Sequence, residues 1–269
     1  MVDSNSPIFI GGAGRSGTTL LRVILDSHPR IYCGPELKVT PLIGQMWHTF
    51  HAAQPALNDY EISAVDVQIL FQQLFHILTS KMLKKSGKAR IAEKTPGNAR
   101  YFQHLHYVFP NSPLIHVIRD PRAVVASLLK MDWIDASTGK PLKYVSSVEA
   151  ATNYWIDEVQ TARATANHPT ASRNYIEIKY ENLVEHPKKV LEELLLKIGE
   201  DWNNSVLNHH TIKRNLAGES SESQVKQALY KSSISKWQNE LTVEEIRLIE
   251  VKTAKLMSEL NYSIFDNGQ

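Results

Sequence analysis

The chain has 269 residues, of which 42% are hydrophobic and 22% are charged, and its formal net charge is +2. This composition is that of an ordinary globular protein, and it excludes collagen-like and low-complexity chains. The charge is too balanced for a protein that binds nucleic acid through a strongly basic face. Because Cys33 is the only cysteine, an intrachain disulfide and a cysteine-rich zinc site are also excluded.

The organisation of the chain is uniform along its length. No segment has the composition of a linker and no internal repeat is visible, so we predict one domain over residues 1–269. No apolar run approaches the roughly 20 residues that span a bilayer, and the first residues lack the pattern of a signal peptide. Since no disulfide can form, the expected location is cytoplasmic.

The predicted elements begin with a short apolar strand over residues 7–10, followed by a glycine-rich loop and a helix over residues 18–26. This order opens an α/β phosphate-binding unit. Further strands are predicted over residues 90–93, 114–118 and 175–178. Further helices are predicted over residues 62–85, 99–109, 122–130, 148–166 and 188–198, and a last helix opens at a capping box of Thr242 and Glu245. Because strands alternate with helices, we expect an α/β fold with a central, mostly parallel sheet flanked by helices.

The glycine-rich loop, residues 12–19, fits the pattern GxxxxG followed by two hydroxyl residues. Its glycines let the backbone approach an anion, and the amide groups and the helix that follows supply positive potential. A purely structural turn is the alternative, since turns also use glycine. Thr18 stands where an ATPase or GTPase has a lysine, and Arg15 lies inside the loop instead. The loop therefore predicts a site for a 5′-phosphate-like group that Arg15 can polarise.

The apolar strand over residues 114–118 ends in Arg119 and Asp120. A magnesium-binding acid is expected near such a strand end in a nucleotide triphosphatase, but here an arginine precedes the acid. Ligands of parallel sheets bind at the carboxyl ends of the strands, so this arginine favours a second phosphate over a metal ion.

Five segments of the chain resemble motifs of the 3′-phosphoadenosine 5′-phosphosulfate (PAPS) dependent sulfotransferases, and most closely those of the protein-tyrosine sulfotransferases. GGAGRSGTTLLRVILDSHPRIYCGPELKVTP (residues 11–41) resembles the 5′-phosphosulfate loop, helix and catalytic strand-loop of that family. EKTP (93–96) resembles its lysine-bearing segment, and RDPRAVVAS (119–127) its 3′-phosphate motif. YENLVEHP (180–187) resembles its tyrosine-bearing segment, and ESSESQVKQALYKSSISKW (219–237) the late loop that closes over the nucleotide. The resemblance implies a P-loop-type sulfotransferase fold with PAPS as the sulfuryl donor, PAP as the product and no metal.

The resemblance also implies which residues bind the donor. The 5′-phosphate would be held by Ser16, Gly17, Thr18 and Thr19, with Arg15 also contacting the transferring sulfuryl group. The 3′-phosphate would be held by Arg119 and Ser127. The rest of the nucleotide site would be lined by Tyr180, Ser221, Gln224 and Lys236.

Catalytic roles follow from the same resemblance. Glu36 falls at the general base of the family, Lys94 and Ser221 at groups that stabilise the transition state, and Lys38 near the peptide site. The chemistry agrees, because a tyrosine phenol has a pKa of about 10 and needs a nearby carboxylate to accept its proton. Arg15, Lys94 and Ser221 can neutralise the charge that develops on the sulfuryl oxygens.

The chain departs from the family pattern at three points. Secreted-pathway members have a disulfide from the position of Cys33 to that of Ala92, and an N-terminal membrane anchor, and neither is found here. The arginine expected four residues after Ser127 is Met131, which weakens the 3′-phosphate site or transfers its task to Lys130. These departures fit a cytoplasmic relative.

The acceptor stays open between two classes. The leading hypothesis is a tyrosine hydroxyl of an acidic peptide or protein, and the alternative is a hydroxyl of a small phenol, a sugar or another metabolite. An open basic groove would indicate the first and a closed apolar pocket the second. Rivals of other classes are a P-loop nucleotide kinase or NTPase and a nucleotide-binding module without catalysis. No nucleic acid or membrane partner is expected, and the resemblance suggests a homodimer.

Several remaining side chains have simpler interpretations. His116, inside an apolar strand, is expected to be a hydrogen-bonded core residue, and Trp155 and Trp237 are expected to be core. A basic cluster is expected to be a solvated helix end, with an acidic-peptide groove as the alternative. Its members are Lys81, Lys84, Lys85, Lys88 and Arg90.

Overall fold

The centre of the protein is a sheet of five parallel strands, as the alternation of strands and helices predicts. The computed structural model describes residues 5–135, 138–212, 214 and 225–265. Within them, the strand order is β2-β3-β1-β4-β5. The strands are β1 (Ile8–Gly11), β2 (Ile31–Cys33), β3 (Arg90–Lys94), β4 (Leu114–Ile118) and β5 (Tyr175–Lys179).

Helices connect the strands and cover both faces of the sheet. The α-helices are α1 (Thr18–Asp26), α2 (Thr40–Ala52), α3 (Gln54–Asn58), α4 (Ala64–Ser86), α5 (Phe102–Val108), α6 (Pro121–Leu128), α7 (Val148–Arg163), α8 (Tyr180–Glu185), α9 (Pro187–Ile198), α10 (Ser232–Ser235) and α11 (Val243–Glu259). Short 3-10 helices cover Pro96–Tyr101, Lys143–Val145, Ala164–Asn167, Ala171–Asn174, Asn204–Thr211 and Lys236–Asn239.

The core follows the two-residue period of the strands. In β1, Ile8 and Ile10 pack with α1, α8 and α9, whereas Phe9 packs against α2, α4 and α5 on the other face. A third apolar cluster joins α6, α7 and α11 and contains Trp155 and Trp237, which are core as predicted. Because both faces are covered, β1 and β4 are mostly apolar, and the ends of the strands are left to bind ligands.

Most predicted elements agree with the observed ones, with shifts at their ends. The helix predicted over residues 99–109 begins as the 3-10 turn Pro96–Tyr101 and becomes α-helical at Phe102. The short strand β2 and the helices α2 and α8 were not predicted as separate elements. Four of the 13 residues of α2 are buried, Thr40, Ile43, Gly44 and Trp47, and Ile43 and Trp47 are the large apolar ones. The helical period of α2 is therefore weak.

The prediction of a solvated helix end is wrong for part of the basic cluster. Lys81, Lys84 and Lys85 are exposed, but Arg90 is fully buried at the start of β3. Its guanidinium donates to Glu200 Oε1 at 3.1 Å and to the carbonyl oxygen of Ile198 at 2.6 Å. Lys88 donates to the carbonyl oxygen of Ile31 at 2.9 Å. Both side chains bridge the amino ends of the strands, so they serve packing and cannot line a peptide groove.

The search for membrane-spanning helices covered the part of the chain that the structure describes. There, none of the helices combines the length and the apolar character that crossing a bilayer requires.

Candidate active site

The glycine-rich loop lies between β1 and α1, at the carboxyl edge of the sheet. Gly12 has φ 154° and Gly17 has φ 93°, both in the region that favours glycine. A Cβ atom on Gly12 would lie 2.3 Å from the carbonyl oxygen of Val117, and one on Gly17 would lie 2.4 Å from the ring of Tyr180. Both glycines are therefore required by close packing as well as by backbone conformation, which supports a loop built for a ligand over a simple turn.

Two buried polar groups beside this loop have no hydrogen-bond partner among the described residues. The hydroxyl of Ser16 is 1% exposed, and neither it nor the Nε of Arg119 makes a hydrogen bond within the described structure. The other two nitrogens of Arg119 donate to the carbonyl oxygens of Arg15, at 3.0 Å, and Ser233, at 2.7 Å. Leaving buried donors unpaired is costly, so these groups fit an anionic ligand that accepts their hydrogen bonds.

Arg15 brings a second positive charge to the same place. It has φ 73°, and its Nε donates to the hydroxyl of Ser127 at 2.9 Å. Burial, followed by repulsion from Arg119, lowers the pKa of Arg15 below its ordinary value. Two neighbouring guanidinium groups are unfavourable unless an anion lies near them. Arg15, Ser127 and Arg119, predicted from separate motifs, are thus brought together by the fold.

A cavity opens beside these arginines. It measures about 480 Å³ including its open mouth, and its lining includes Arg15, Gly17, Arg119 and Tyr180. The guanidinium of Arg119 lies 4.5 Å above the ring of Tyr180, and the hydroxyl of Tyr180 is 2.8 Å from that of Ser233. The cavity therefore offers a cationic and aromatic surface of the kind that binds a phosphorylated nucleoside.

Two of the predicted catalytic residues, Glu36 and Lys94, meet at the end of β3. The Nζ of Lys94 donates to Glu36 Oε1 at 2.5 Å and to the hydroxyl of Thr19 at 3.1 Å. The side chain of Lys94 is fully buried, whereas that of Glu36 is 27% exposed. The carboxylate is thus held by a buried cation next to the anion-binding loop, and it is still open to a second substrate.

The structure does not bring every predicted residue into this arrangement. Lys38 is exposed, has φ 59°, and its backbone N–H donates to the hydroxyl of Thr95 at 3.1 Å. Lys236 does not line the cavity, because its Nζ lies 3.4 Å from Glu240 on the surface. Ser221 and Gln224 lie outside the described residues, so their roles stay predictions.

The departures from the expected pattern have structural explanations. Met131 packs against the apolar cluster of α6 and α7, and Lys130 pairs with Glu240 at 2.5 Å. Lys130 therefore has a partner away from the cavity. Cys33 of β2 lies opposite Ala92 of β3, so the family disulfide would join neighbouring strands. Burial raises the pKa of the Cys33 thiol, which keeps it protonated and unreactive.

Asp120 has a structural role at the start of α6. Its Oδ2 accepts from Arg122 at 2.6 Å, and its Oδ1 accepts from the backbone N–H of Arg122 at 2.8 Å. Both carboxylate oxygens of Asp120 are therefore engaged by Arg122. Across the residues with described positions, no group of three or more histidine, cysteine, aspartate or glutamate side chains could hold a metal ion.

Two site residues were missed by the sequence analysis. The hydroxyl of Tyr154, on α7, accepts from the backbone N–H of Gly14 at 2.9 Å, and burial raises the pKa of Tyr154 so that it stays protonated. Ser233, on α10, contacts both Arg119 and Tyr180. Neither has a local sequence signal, although Ser233 lies within the late segment over residues 219–237.

The sequence of this chain is similar to those of known sulfotransferases. The family model described as "Sulfotransferase family" matches residues 7–204. Protein-tyrosine sulfotransferase 1 of Danio rerio is 29% identical over 95% of this chain and 72% of its own length. Protein-tyrosine sulfotransferase of Drosophila melanogaster is 27% identical over 97% of this chain, which spans about half, 52%, of that relative.

Solved structures show the same architecture. The sulfotransferase domain from the curacin biosynthetic pathway superimposes with a TM-score of 0.66 at 21% identity, covering 97% of this chain and 99% of that one. Mouse sulfotransferase SULT7A1 complexed with PAP superimposes with a TM-score of 0.58 at 15% identity, covering 95% and 85%. At these identities the likeness establishes the sulfotransferase fold.

Proposed function

Because this chain belongs to the sulfotransferase family and is a sulfotransferase, we propose that it transfers a sulfuryl group from PAPS to a tyrosine hydroxyl of a peptide or protein. The observation that carries the proposal is the cluster of Glu36, Lys94 and Thr19, which puts a carboxylate and a buried cation beside the anion-binding loop. The names of the relatives in Danio rerio and Drosophila melanogaster support the tyrosine acceptor.

The residues around the loop fit the proposed donor. The Ser16 hydroxyl and the Arg119 Nε, which have no partner in the described part of the chain, are donors for phosphate oxygens, and Arg15 supplies charge beside them. The PAP complex of the mouse sulfotransferase, which shares the fold, supports the same nucleotide here. When bound, PAPS would supply the sulfuryl group: the acceptor oxygen would bond to its sulfur as the bond from sulfur to the 5′-phosphate oxygen breaks in line, and PAP would leave.

In the proposed mechanism, Glu36 receives the proton of the acceptor hydroxyl as that oxygen attacks. The ion pair with Lys94 holds the Glu36 carboxylate in place before the transfer. Lys94 carries a positive charge in a fully buried position, where an electrostatic interaction is stronger than in water. It can therefore stabilise negative charge that develops near the loop, together with Arg15.

The surroundings of Glu36 favour a peptide over a small phenol. The Glu36 side chain is partly open to solvent, and the exposed Lys38 lies two residues away on the same loop. An exposed lysine two positions along the chain from the proposed base suits acidic residues that flank a tyrosine. A small phenol needs an enclosed apolar pocket, and among the described residues Glu36 does not belong to the lining of the cavity beside Arg15 and Arg119.

The test is transfer of labelled sulfate from PAPS to an acidic tyrosine peptide, with a small phenol in parallel. Glu36→Gln should lower kcat for the peptide by at least about 100-fold, because the general base is lost, while PAP binding is retained. Glu244→Gln, an exposed glutamate on α11, is the matched control and should leave kcat unchanged. Labelling of the phenol alone would overturn the tyrosine acceptor, and absence of PAP binding to the wild type would overturn the donor.

A further inference from the structure

Glu93 is a buried carboxylate next to the proposed catalytic lysine, and the mechanism does not use it. Glu93 is 4% exposed, and it directly precedes Lys94 in β3. Its Oε1 accepts from the backbone N–H of Leu37 at 3.1 Å and from the hydroxyl of Thr95 at 2.7 Å. One oxygen of Glu93 thus holds the backbone of the residue that follows Glu36.

The second carboxylate oxygen of Glu93 accepts hydrogen bonds from two further residues. Oε2 of Glu93 accepts from the hydroxyl of Thr40 at 2.5 Å and from the side-chain amide of Asn98 at 2.6 Å. The same Asn98 amide group donates to the carbonyl oxygen of Ile10 in β1 at 3.1 Å. Glu93 therefore links the start of α2, the 3-10 turn after β3 and the central strand of the sheet.

Thr95 completes this network from the strand end. Its hydroxyl donates to Glu93 and accepts from the backbone N–H of Lys38, whose φ is 59°. A lysine has that conformation only where surrounding contacts impose it. Residues 37, 38 and 40 are consequently fastened to Glu93 and Thr95, while Lys94, between these two, holds Glu36.

We propose that Glu93 is a positioning residue for sulfuryl transfer, which fastens residues 37–40 to the end of β3 so that Glu36 stays at Lys94. The inference rests on the proposed function of Glu36 as general base. Glu93 does not line the cavity beside Arg15 and Arg119. Its removal should therefore change the geometry of the base and leave the donor site intact. A displacement of about 1 Å at a reacting group can cost on the order of 100-fold in rate.

The main variant is Glu93→Gln, which keeps the size of the side chain. A glutamine has one acceptor oxygen, and its amide would meet the donating Asn98 amide, so it cannot accept all four hydrogen bonds. Thr40→Val is a milder second variant that removes one of the four and preserves the carboxylate. Glu200→Gln is the matched control, because Glu200 is also a buried, hydrogen-bonded carboxylate but lies at the opposite end of β3, where it pairs with Arg90.

Three measurements separate positioning from folding: kcat and KM with the tyrosine peptide and PAPS, the melting temperature, and hydrogen exchange of the Leu37 and Lys38 amides. Glu93→Gln should lower kcat by about 10- to 100-fold with the KM for PAPS within about twofold of wild type. The two amides should exchange at least about tenfold faster. Thr40→Val should change kcat and exchange in the same direction by a smaller factor, and Glu200→Gln should lower only the melting temperature.

The proposal is overturned if Glu93→Gln and Thr40→Val keep the wild-type kcat, or if the exchange of the two amides is unchanged. It is also overturned if Glu200→Gln lowers kcat as much as Glu93→Gln does, since the effect would then be one of stability. If the wild type transfers sulfate to no acceptor, the proposed function fails. Unchanged exchange in the two variants would still overturn the positioning role, and faster exchange would support it.

Discussion

Single residues of the candidate site have unusual backbone conformations. Four non-glycine residues of the described chain have positive φ, and two of them, Arg15 and Lys38, belong to the predicted site. Such conformations cost free energy and persist where neighbouring contacts impose them, which is common at functional sites. Here the contacts are the hydrogen bonds of Arg15 with Arg119 and of Lys38 with Thr95.

Gly17 allows a prediction that separates backbone strain from crowding. Gly17→Ala introduces both, because φ is 93° and the new Cβ would lie 2.4 Å from the ring of Tyr180. Gly87→Ala introduces strain alone, because φ is 70° and no atom lies within 4 Å of its Cβ position. We expect Gly87→Ala to lower the free energy of unfolding by about 1 kcal/mol and Gly17→Ala by about 2–4 kcal/mol.

Urea unfolding checks these values, and PAP titration checks the site. Only Gly17→Ala should weaken PAP binding, since Tyr180 and the loop line the cavity. Equal destabilisation by both variants would show that the ring of Tyr180 yields to the new methyl group.

At the scale of elements, β4 shows how a polar residue is accommodated in a buried strand. His116 is fully buried, and its Nδ1 lies 2.6 Å from the hydroxyl of Tyr175 in β5, as the expected hydrogen-bonded core residue. Burial, and then the charge of Arg163, lowers the pKa of His116 to about 3. The imidazole is therefore neutral at the pH values at which the protein works.

His116 predicts loss of stability in mild acid. Between its ordinary pKa of 6.5 and about 3, the unfolded chain binds a proton at this histidine and the folded chain does not. The contribution of His116 to the free energy of unfolding is therefore complete above pH 6.5. It falls as the pH falls below that value, by about 1.4 kcal/mol per pH unit for each such histidine. Burial also lowers the pKa values of His106 and His209 to about 4, so they act in the same direction.

The measurement is urea unfolding between pH 5 and pH 6 for the wild type and His116→Leu. The free energy of unfolding should depend less steeply on pH in the variant than in the wild type, by about 1.4 kcal/mol per pH unit. This difference in slope does not depend on the absolute stability of the variant. His76→Leu changes an exposed histidine of α4 and should keep the wild-type slope. A slope that His116→Leu leaves unchanged would mean that this histidine is protonated in the folded state.

At the scale of the whole molecule, the site unites distant parts of the chain. Arg15 and Ser127 are 112 positions apart, and Arg119 and Ser233 are 114 apart. Because these groups meet only in the folded chain, a ligand that bridges them binds the folded state and not the unfolded state. The single-domain organisation, the cytoplasmic location and the homodimer expected from sequence stay predictions.

Binding of PAP should therefore raise the melting temperature. At 100 times its Kd, the ligand adds about 2.7 kcal/mol to the free energy of unfolding, or about 5–10 °C for a chain of this size. Arg119→Lys keeps the charge but not the planar set of donors, so the shift at the same PAP concentration should fall to about half or less. Arg163→Lys, which changes a surface ion pair with Glu177 and Glu259, should keep the full shift. A full shift in Arg119→Lys would contradict the role of Arg119.

Much of the fold followed from local patterns. The apolar strands, the helix of α1, the capping box of Thr242 and Glu245 and the parallel sheet were predicted and are present. These features depend on hydrophobic period and capping within a few residues. The three-residue strand β2 and the weakly amphipathic α2 were missed because so short or so weak a period is not distinctive.

Local patterns were enough to predict the order of strand, glycine loop and helix and the arginine at the end of β4, because each depends on a few neighbouring residues. Glu36, Lys94 and Ser127 were assigned through the family resemblance. Which of these residues are in contact could be seen only in the folded structure. Lys94 and Glu36, 58 positions apart, are in contact, Lys236 turns to Glu240, and Arg90 is buried with Glu200. Such contacts depend on strand order and register, which bring distant segments together and which no local pattern in one chain specifies.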